Sequence, residues 1–143
     1  YLGEYVDGVR TGYGALSKTN GEKYEGEFKD NLFHGKGSYV NGEARYEGEW
    51  FKGVRHGWGQ ETSKNGDFYE GEWNYDDRVK GKLIYEDGDT YEGEFVGRLY
   101  HGYGTETYTD GTSIEGRWSE GEPVSGNYID AEDAVIESKE KID

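Results

Sequence analysis

The chain alternates polar and apolar residues in short bursts. In YEGEW, beginning at Tyr46, the residues Tyr46, Gly48 and Trp50 share one parity, and Glu47 and Glu49 share the other. Successive side chains of a β-strand point to opposite faces. The segment therefore predicts a strand with an aromatic face and an acidic face. The same pattern returns as YLGEY at Tyr1, YEGEF at Tyr24, YEGEW at Tyr69, YEGEF at Tyr91 and IEGRW at Ile114, at intervals of 22 or 23 residues. A second motif keeps step with it: TGYG at Thr11, HGKG at His34, HGWG at His56, KGKL at Lys80, HGYG at His101 and SGNY at Ser125. A third is the pair Asn20-Gly21, Asn41-Gly42, Asn65-Gly66, Asp87-Gly88 and Asp110-Gly111. Three motifs in one phase define a tandem repeat.

Each copy predicts a hairpin. The first strand lies on YEGEW, a loop such as Phe51 to His56 follows, and Gly57 to Thr62 gives the second strand. The Asn-Gly or Asp-Gly pair supplies φ > 0 for a tight turn into the next copy. Gly35 and Gly37 are two residues apart and share a strand face. If that face meets Tyr24 and Phe28, rings pack over the missing β-carbons. One hairpin cannot bury its face alone, so copies must stack. Strand spacing then gives a ribbon about 50 Å long.

Two copies deviate. In the fourth, aligning KGKL with HGWG puts Lys80 at the His position and Leu83 at the second Gly, with one extra residue before Gly81. In the last, Ile114, Arg117, Pro123 and Tyr128 depart from the pattern, as terminal repeats do. After Tyr128 the glycines stop. Ala131, Ala134, Val135, Lys139 and Ile142 fall near a helical stripe. Asp130 fits an N-cap, and Glu137 with Lys141 forms an i,i+4 pair. A short helix or linker is predicted over 129–143.

With these motifs at this interval, the chain resembles the MORN-repeat family (membrane occupation and recognition nexus) over residues 1–128. Full copies start at 1, 24, 46, 69 and 91, and a degenerate sixth starts at 114. The resemblance implies an all-β fold of antiparallel hairpins stacked into an elongated, twisted, single-layer sheet. It also implies roles as scaffolds in cilia and the cytoskeleton, as membrane-junction tethers, or as arms of lipid kinases and SET-type methyltransferases.

Composition narrows these. Hydrophobic residues make up 31% of the 143, aromatics 16%, and the net charge is −15. Such a balance suggests disorder unless the aromatics are organised, and here they are regularly spaced. No basic run exists, so nucleic acid and anionic membranes are poor partners for this segment. The chain has no Cys, which excludes disulfides and thiolate metal sites and is compatible with a cytoplasmic setting. No apolar stretch is long enough to span a membrane. The chain opens at Tyr1, inside a repeat, so it is expected to be a fragment.

No constellation carries catalysis. His34, His56 and His101 occupy equivalent positions, roughly 9–10 Å apart by strand spacing, too far to share one zinc ion. They read as structural. The glutamates at 25, 27, 47, 49, 70, 72, 92 and 94 form a flat ladder. It lacks the enclosed environment for acid–base work and does not converge as calcium requires. It reads as a solvated face or a docking surface for a basic partner. The GxG motifs precede strands, without the helix N-terminus that holds phosphate. No cofactor or metal is implied, and the chain reads as a non-enzyme.

The residues between the paired glycines, Tyr13, Lys36, Trp58, Lys82, Tyr103 and Asn127, point away from the glycines in this reading. Tyr13, Trp58 and Tyr103 are candidate partner anchors, because Trp and Tyr dominate interface hot spots. The other candidate surface is the aromatic side itself: Phe28, Tyr46, Trp50, Tyr69, Trp73 and Phe95. The expected function is a protein–protein interaction scaffold for an extended peptide or a helix. The resemblance suggests a ciliary or cytoskeletal assembly. An open sheet edge would also permit a homodimer.

Overall fold

A computed structural model of the chain describes residues 1–129. The described part is all β. The twelve strands are β1 (Leu2–Val6), β2 (Val9–Ser17), β3 (Lys23–Lys29), β4 (Leu32–Asn41), β5 (Ala44–Phe51), β6 (Val54–Thr62), β7 (Phe68–Asn74), β8 (Asp77–Ile84), β9 (Thr90–Val96), β10 (Leu99–Thr107), β11 (Ser113–Ser119) and β12 (Glu122–Ile129). They form one open antiparallel sheet in sequence order. The array thus runs to Ile129, and the predicted C-terminal helix lies outside the described residues.

A single row of glycines fixes the register. Gly3, Gly14, Gly26, Gly37, Gly48, Gly59, Gly71, Gly81, Gly93, Gly104, Gly116 and Gly126 pair in one line across the sheet. The YEGEW tyrosine lies over this line. A β-carbon at Gly59 would overlap the ring of Tyr46, and one at Gly37 the ring of Tyr24. The ring can lie flat only where the β-carbon is missing.

That rule corrects the reading of the deviant copies. Gly81 pairs with Gly71, so Gly81 is the glycine beneath the Tyr69 ring. Lys80 therefore takes the place of Trp58, and Leu83 pairs with Tyr91 as Tyr39 pairs with Tyr46. The fourth hairpin has lost a residue rather than gained one. Gly126 likewise pairs with Gly116 in the last hairpin. The outward row is Tyr13, Lys36, Trp58, Lys80, Tyr103 and Ser125, with Lys80 and Ser125 replacing Lys82 and Asn127.

The turns also differ from expectation. The tight two-residue turns lie inside each copy, for example Lys52-Gly53 between β5 and β6. Both central residues take positive φ in five of the six: Asp7-Gly8, Asp30-Asn31, Lys52-Gly53, Tyr75-Asp76 and Glu120-Gly121. That conformation matches the twist of the flanking strands. The Asn-Gly and Asp-Gly pairs mark mostly longer loops. In four of the five, such as Ser63 to Asp67, backbone bonds close the loop, and Asn20, Asn65, Asp87 and Asp110 accept the N–H two residues on. This is the Asx-turn that suits Asn and Asp. At the fifth the connection is tight, but its loop residues are Gly42 and Glu43, and Asn41 ends β4.

Candidate functional site

The two faces of the sheet differ in how far their rings are covered, although the aromatic face also holds a trough of about 470 Å³ beside Phe33, Tyr39, Tyr46 and Trp50. On the aromatic face, Tyr24, Phe28, Tyr46, Trp50, Tyr69, Trp73, Tyr91, Phe95 and Trp118 are buried in one continuous core. A single layer does this by covering each tyrosine with the residue nine positions later. Phe33 stacks on Tyr24 with centroids 3.8 Å apart, and Tyr100 stacks on Tyr91 at 3.7 Å. The guanidiniums of Arg10, Arg55 and Arg78 lie over Tyr1, Tyr46 and Tyr69 at 5.7, 5.9 and 4.8 Å. Arg55 also covers Trp73 at 4.3 Å. Planar cations suit this position because they stack on ring faces. Glu61 and Asp76 pair with Arg55, and Glu61 also takes Arg78 at 3.0 Å.

Polar atoms on this face are satisfied internally. Each tyrosine hydroxyl donates to the carbonyl three residues on: Tyr24 to Glu27 at 2.7 Å, Tyr46 to Glu49 at 2.9 Å, Tyr69 to Glu72 at 2.9 Å and Tyr91 to Glu94 at 2.8 Å. Trp50, Trp73 and Trp118 donate their indole N–H to Gly37, Gly59 and Gly104 carbonyls. The candidate residues Phe28, Tyr46, Trp50, Tyr69, Trp73 and Phe95 are thus core residues, covered by their own chain. Sequence reasoning missed the covering residues. Arg55 and Arg78 read as surface charges unless the nine-residue offset from the tyrosine is noticed.

On the outer face the glutamates divide into two rows with different tasks. Residues 27, 49 and 94 plug a bulge. Opposite Glu49, the second strand carries His56, Gly57 and Trp58 as extra chain, with Gly57 at φ 93°. The Glu49 carboxylate accepts the backbone N–H of Trp58 at 2.5 Å. Glu4, Glu27 and Glu94 do the same for Tyr13 (2.9 Å), Lys36 (2.6 Å) and Tyr103 (2.6 Å). Without that acceptor an N–H left free by the bulge would lack a partner. In the fourth hairpin the bulge is shorter, and Glu72 pairs directly opposite Lys80.

The other row has no such duty. Glu25, Ser38, Glu47, Gln60, Glu70, Lys82, Glu92, Thr105 and Glu115 stand in direct register across β3 to β11. A glutamate recurs on every second strand. Tyr13 reaches across to donate to Glu25 at 3.0 Å. Arg117 donates to the Tyr103 hydroxyl at 3.0 Å and lies over its ring.

Exposed rings rise from this face. Trp58 is 52% exposed, Tyr13 58% and Tyr103 60%. Between Tyr13 and Trp58 runs a trough of about 480 Å³, floored by Gly26, Gly37 and Gly48 and edged by Lys36, Glu25 and Glu47. A second trough of about 620 Å³ lies beside Tyr103 over Gly104 and Gly116. The structure therefore brings Tyr13, Trp58 and Tyr103 together on one face and keeps the other six candidates in the core.

Two of the three histidines join successive hairpins. His34 accepts the Lys52 N–H at Nδ1 (3.3 Å), and His56 accepts that of Tyr75 (3.2 Å). Among the described residues no three His, Asp or Glu converge on a point that could hold a metal ion. Among them, too, no helix is long and apolar enough to cross a membrane. Compared with known families, the chain is matched five times by the model of the MORN repeat, at residues 1–23, 24–42, 46–68, 69–90 and 91–113.

Proposed function

The chain belongs to the MORN-repeat family, and from that premise we propose that it is a non-catalytic docking ribbon that holds a protein partner on its outer face around Trp58. Repeats of this family are interaction modules, and nothing here points to a catalytic family. The observation that carries the reading is the contrast among the tryptophans. Trp50, Trp73 and Trp118 are buried, whereas Trp58 stands half exposed beside a trough. A large ring in water beside a concave surface is the usual mark of an interface anchor. The aromatic face is the weaker alternative, because its rings are already covered.

The setting we favour is a cytoplasmic one, in a ciliary or cytoskeletal assembly, a choice supported by the family resemblance. An accessory arm of an enzyme would use the same face. A membrane tether fits poorly with a net charge of −15, since anionic headgroups repel such a surface. The test is capture from source-cell lysate with the wild-type chain and with Trp58→Ala/Tyr103→Ala, each checked for folding by circular dichroism. The reading expects a partner that the folded double variant loses. A partner retained by the variant, or flotation of the chain with anionic liposomes at physiological salt, would overturn it.

A further inference from the structure

The outer face carries two periodicities, and both belong to one kind of ligand. In the row of Glu25, Glu47 and Glu70, the carboxylates sit on alternate strands, with Ser38 and Gln60 between them. Two strand spacings place them roughly 9.4–9.8 Å apart. In the neighbouring row, Tyr13, Trp58 and Tyr103 sit four strands apart, roughly 19 Å. Lys36 and Lys80 alternate with them and stand opposite Glu49 and Glu94. A cation on the ligand is therefore drawn to the Glu25–Glu70 row, and an apolar group to the ring row.

The backbone beneath offers nothing to an incoming strand. Its N–H and C=O groups are engaged in the ladders to either side. A ligand lying across this face must leave its own backbone in water. Polyproline II does this: it has no internal hydrogen bonds and a solvated backbone. It turns once in three residues and rises about 3.1 Å per residue, so residues i, i+3 and i+6 share one side at steps of about 9.3 Å. That step matches the carboxylate spacing, and six residues match the ring spacing. A helix presents a common side every seven residues at about 10.5 Å and drifts out of step. Aromatic-lined grooves are the general receptors for this conformation.

We propose that the outer face binds a basic polyproline II segment with Lys or Arg at every third position. Its cations lie along Glu25, Glu47 and Glu70, and its prolines pack on Trp58 and Tyr13. Lys82 stands between Glu70 and Glu92, so the favoured stretch ends there. The proposal rests on the outer face being the docking side, as argued above.

The test uses the full 143-residue chain and labelled peptides, read by fluorescence anisotropy. One peptide is (Lys-Pro-Pro)4. The other has the same composition, with its four lysines consecutive. Equal charge cancels non-specific attraction. The expected result is binding of the periodic peptide at least about tenfold tighter, a difference of about 1.4 kcal/mol. The triple variant Glu25→Gln/Glu47→Gln/Glu70→Gln removes that preference. Trp58→Ala weakens binding by at least about tenfold. None of these side chains caps a bulge, so the fold is retained. Equal binding of the two peptides, or none by either, overturns the periodic ligand. The outer-face reading then still stands if lysate capture depends on Trp58. A peptide that binds anionic vesicles but not the chain overturns the proposal as well.

Discussion

At the scale of single residues, neighbouring glutamates with the same exposure do different work. Glu49 holds the Trp58 N–H at 2.5 Å, whereas Glu47 accepts no such bond among the described residues. Glu49→Ala leaves a bulge N–H without its charged acceptor and is expected to cost about 1–2 kcal/mol. Glu47→Ala is expected to stay within about 0.5 kcal/mol of wild type. Urea melts of the two variants check this, and equal stability would contradict the assignment. The alternation in YEGEW made both glutamates legible as outward residues. It could not separate them, because the difference lies in the extra residues of the partner strand. Tyr46 and Trp50 were likewise legible as one face. The cover over that face was not, because Arg55, which lies over Tyr46, is a charged residue beside a turn.

At the scale of the element, four of the five junctions between successive hairpins are tied at their turns. The turn N–H groups of Asn31, Gly53, Asp76 and Gly121 donate to the carbonyls of Arg10, Phe33, Arg55 and Tyr100. No corresponding bond joins Arg98 to Arg78 among the described residues, and the shortened segment from Asp77 to Lys80 has no histidine to supply a link. The β8–β9 junction is therefore the least tied internal seam. Native-state hydrogen exchange is expected to show lower protection there than at β4–β5, and equal protection would contradict it. The seam was hidden in the sequence because KGKL invites alignment on the wrong glycine. The turns were hidden for a related reason. Asp30-Asn31 and Tyr75-Asp76 adopt positive φ without a glycine, while the more conspicuous Asn-Gly pairs close longer loops.

The buried tyrosines add a pH dependence to the same elements. Burial pushes the hydroxyls of Tyr69 and Tyr91 up to about 12, against an ordinary value near 10. Below pH of about 10 both folded and unfolded chains hold neutral tyrosine, and the fold keeps its full stability. Above that the unfolded chain ionises first, so stability falls as pH rises through the window from about 10 to 12. The urea midpoint is expected to be clearly lower at pH 11 than at pH 8. An unchanged midpoint would show that these hydroxyls titrate freely.

At the scale of the whole molecule, the chain is a ribbon with one face of buried rings and one face of exposed rings. The repeat period and strand alternation made the ribbon legible from sequence alone. The choice of face was not, since both carry rings, and only the covering residues decide it. Hydroxyl-radical footprinting of the chain, free and with its captured partner, tests that choice most directly. In the free chain Trp58 is expected to oxidise readily while Trp50, Trp73 and Trp118 resist. With the partner bound, Trp58 and Tyr13 are expected to become protected. Protection confined to the aromatic face or to the sheet edges, with Trp58 still reactive, would contradict the account.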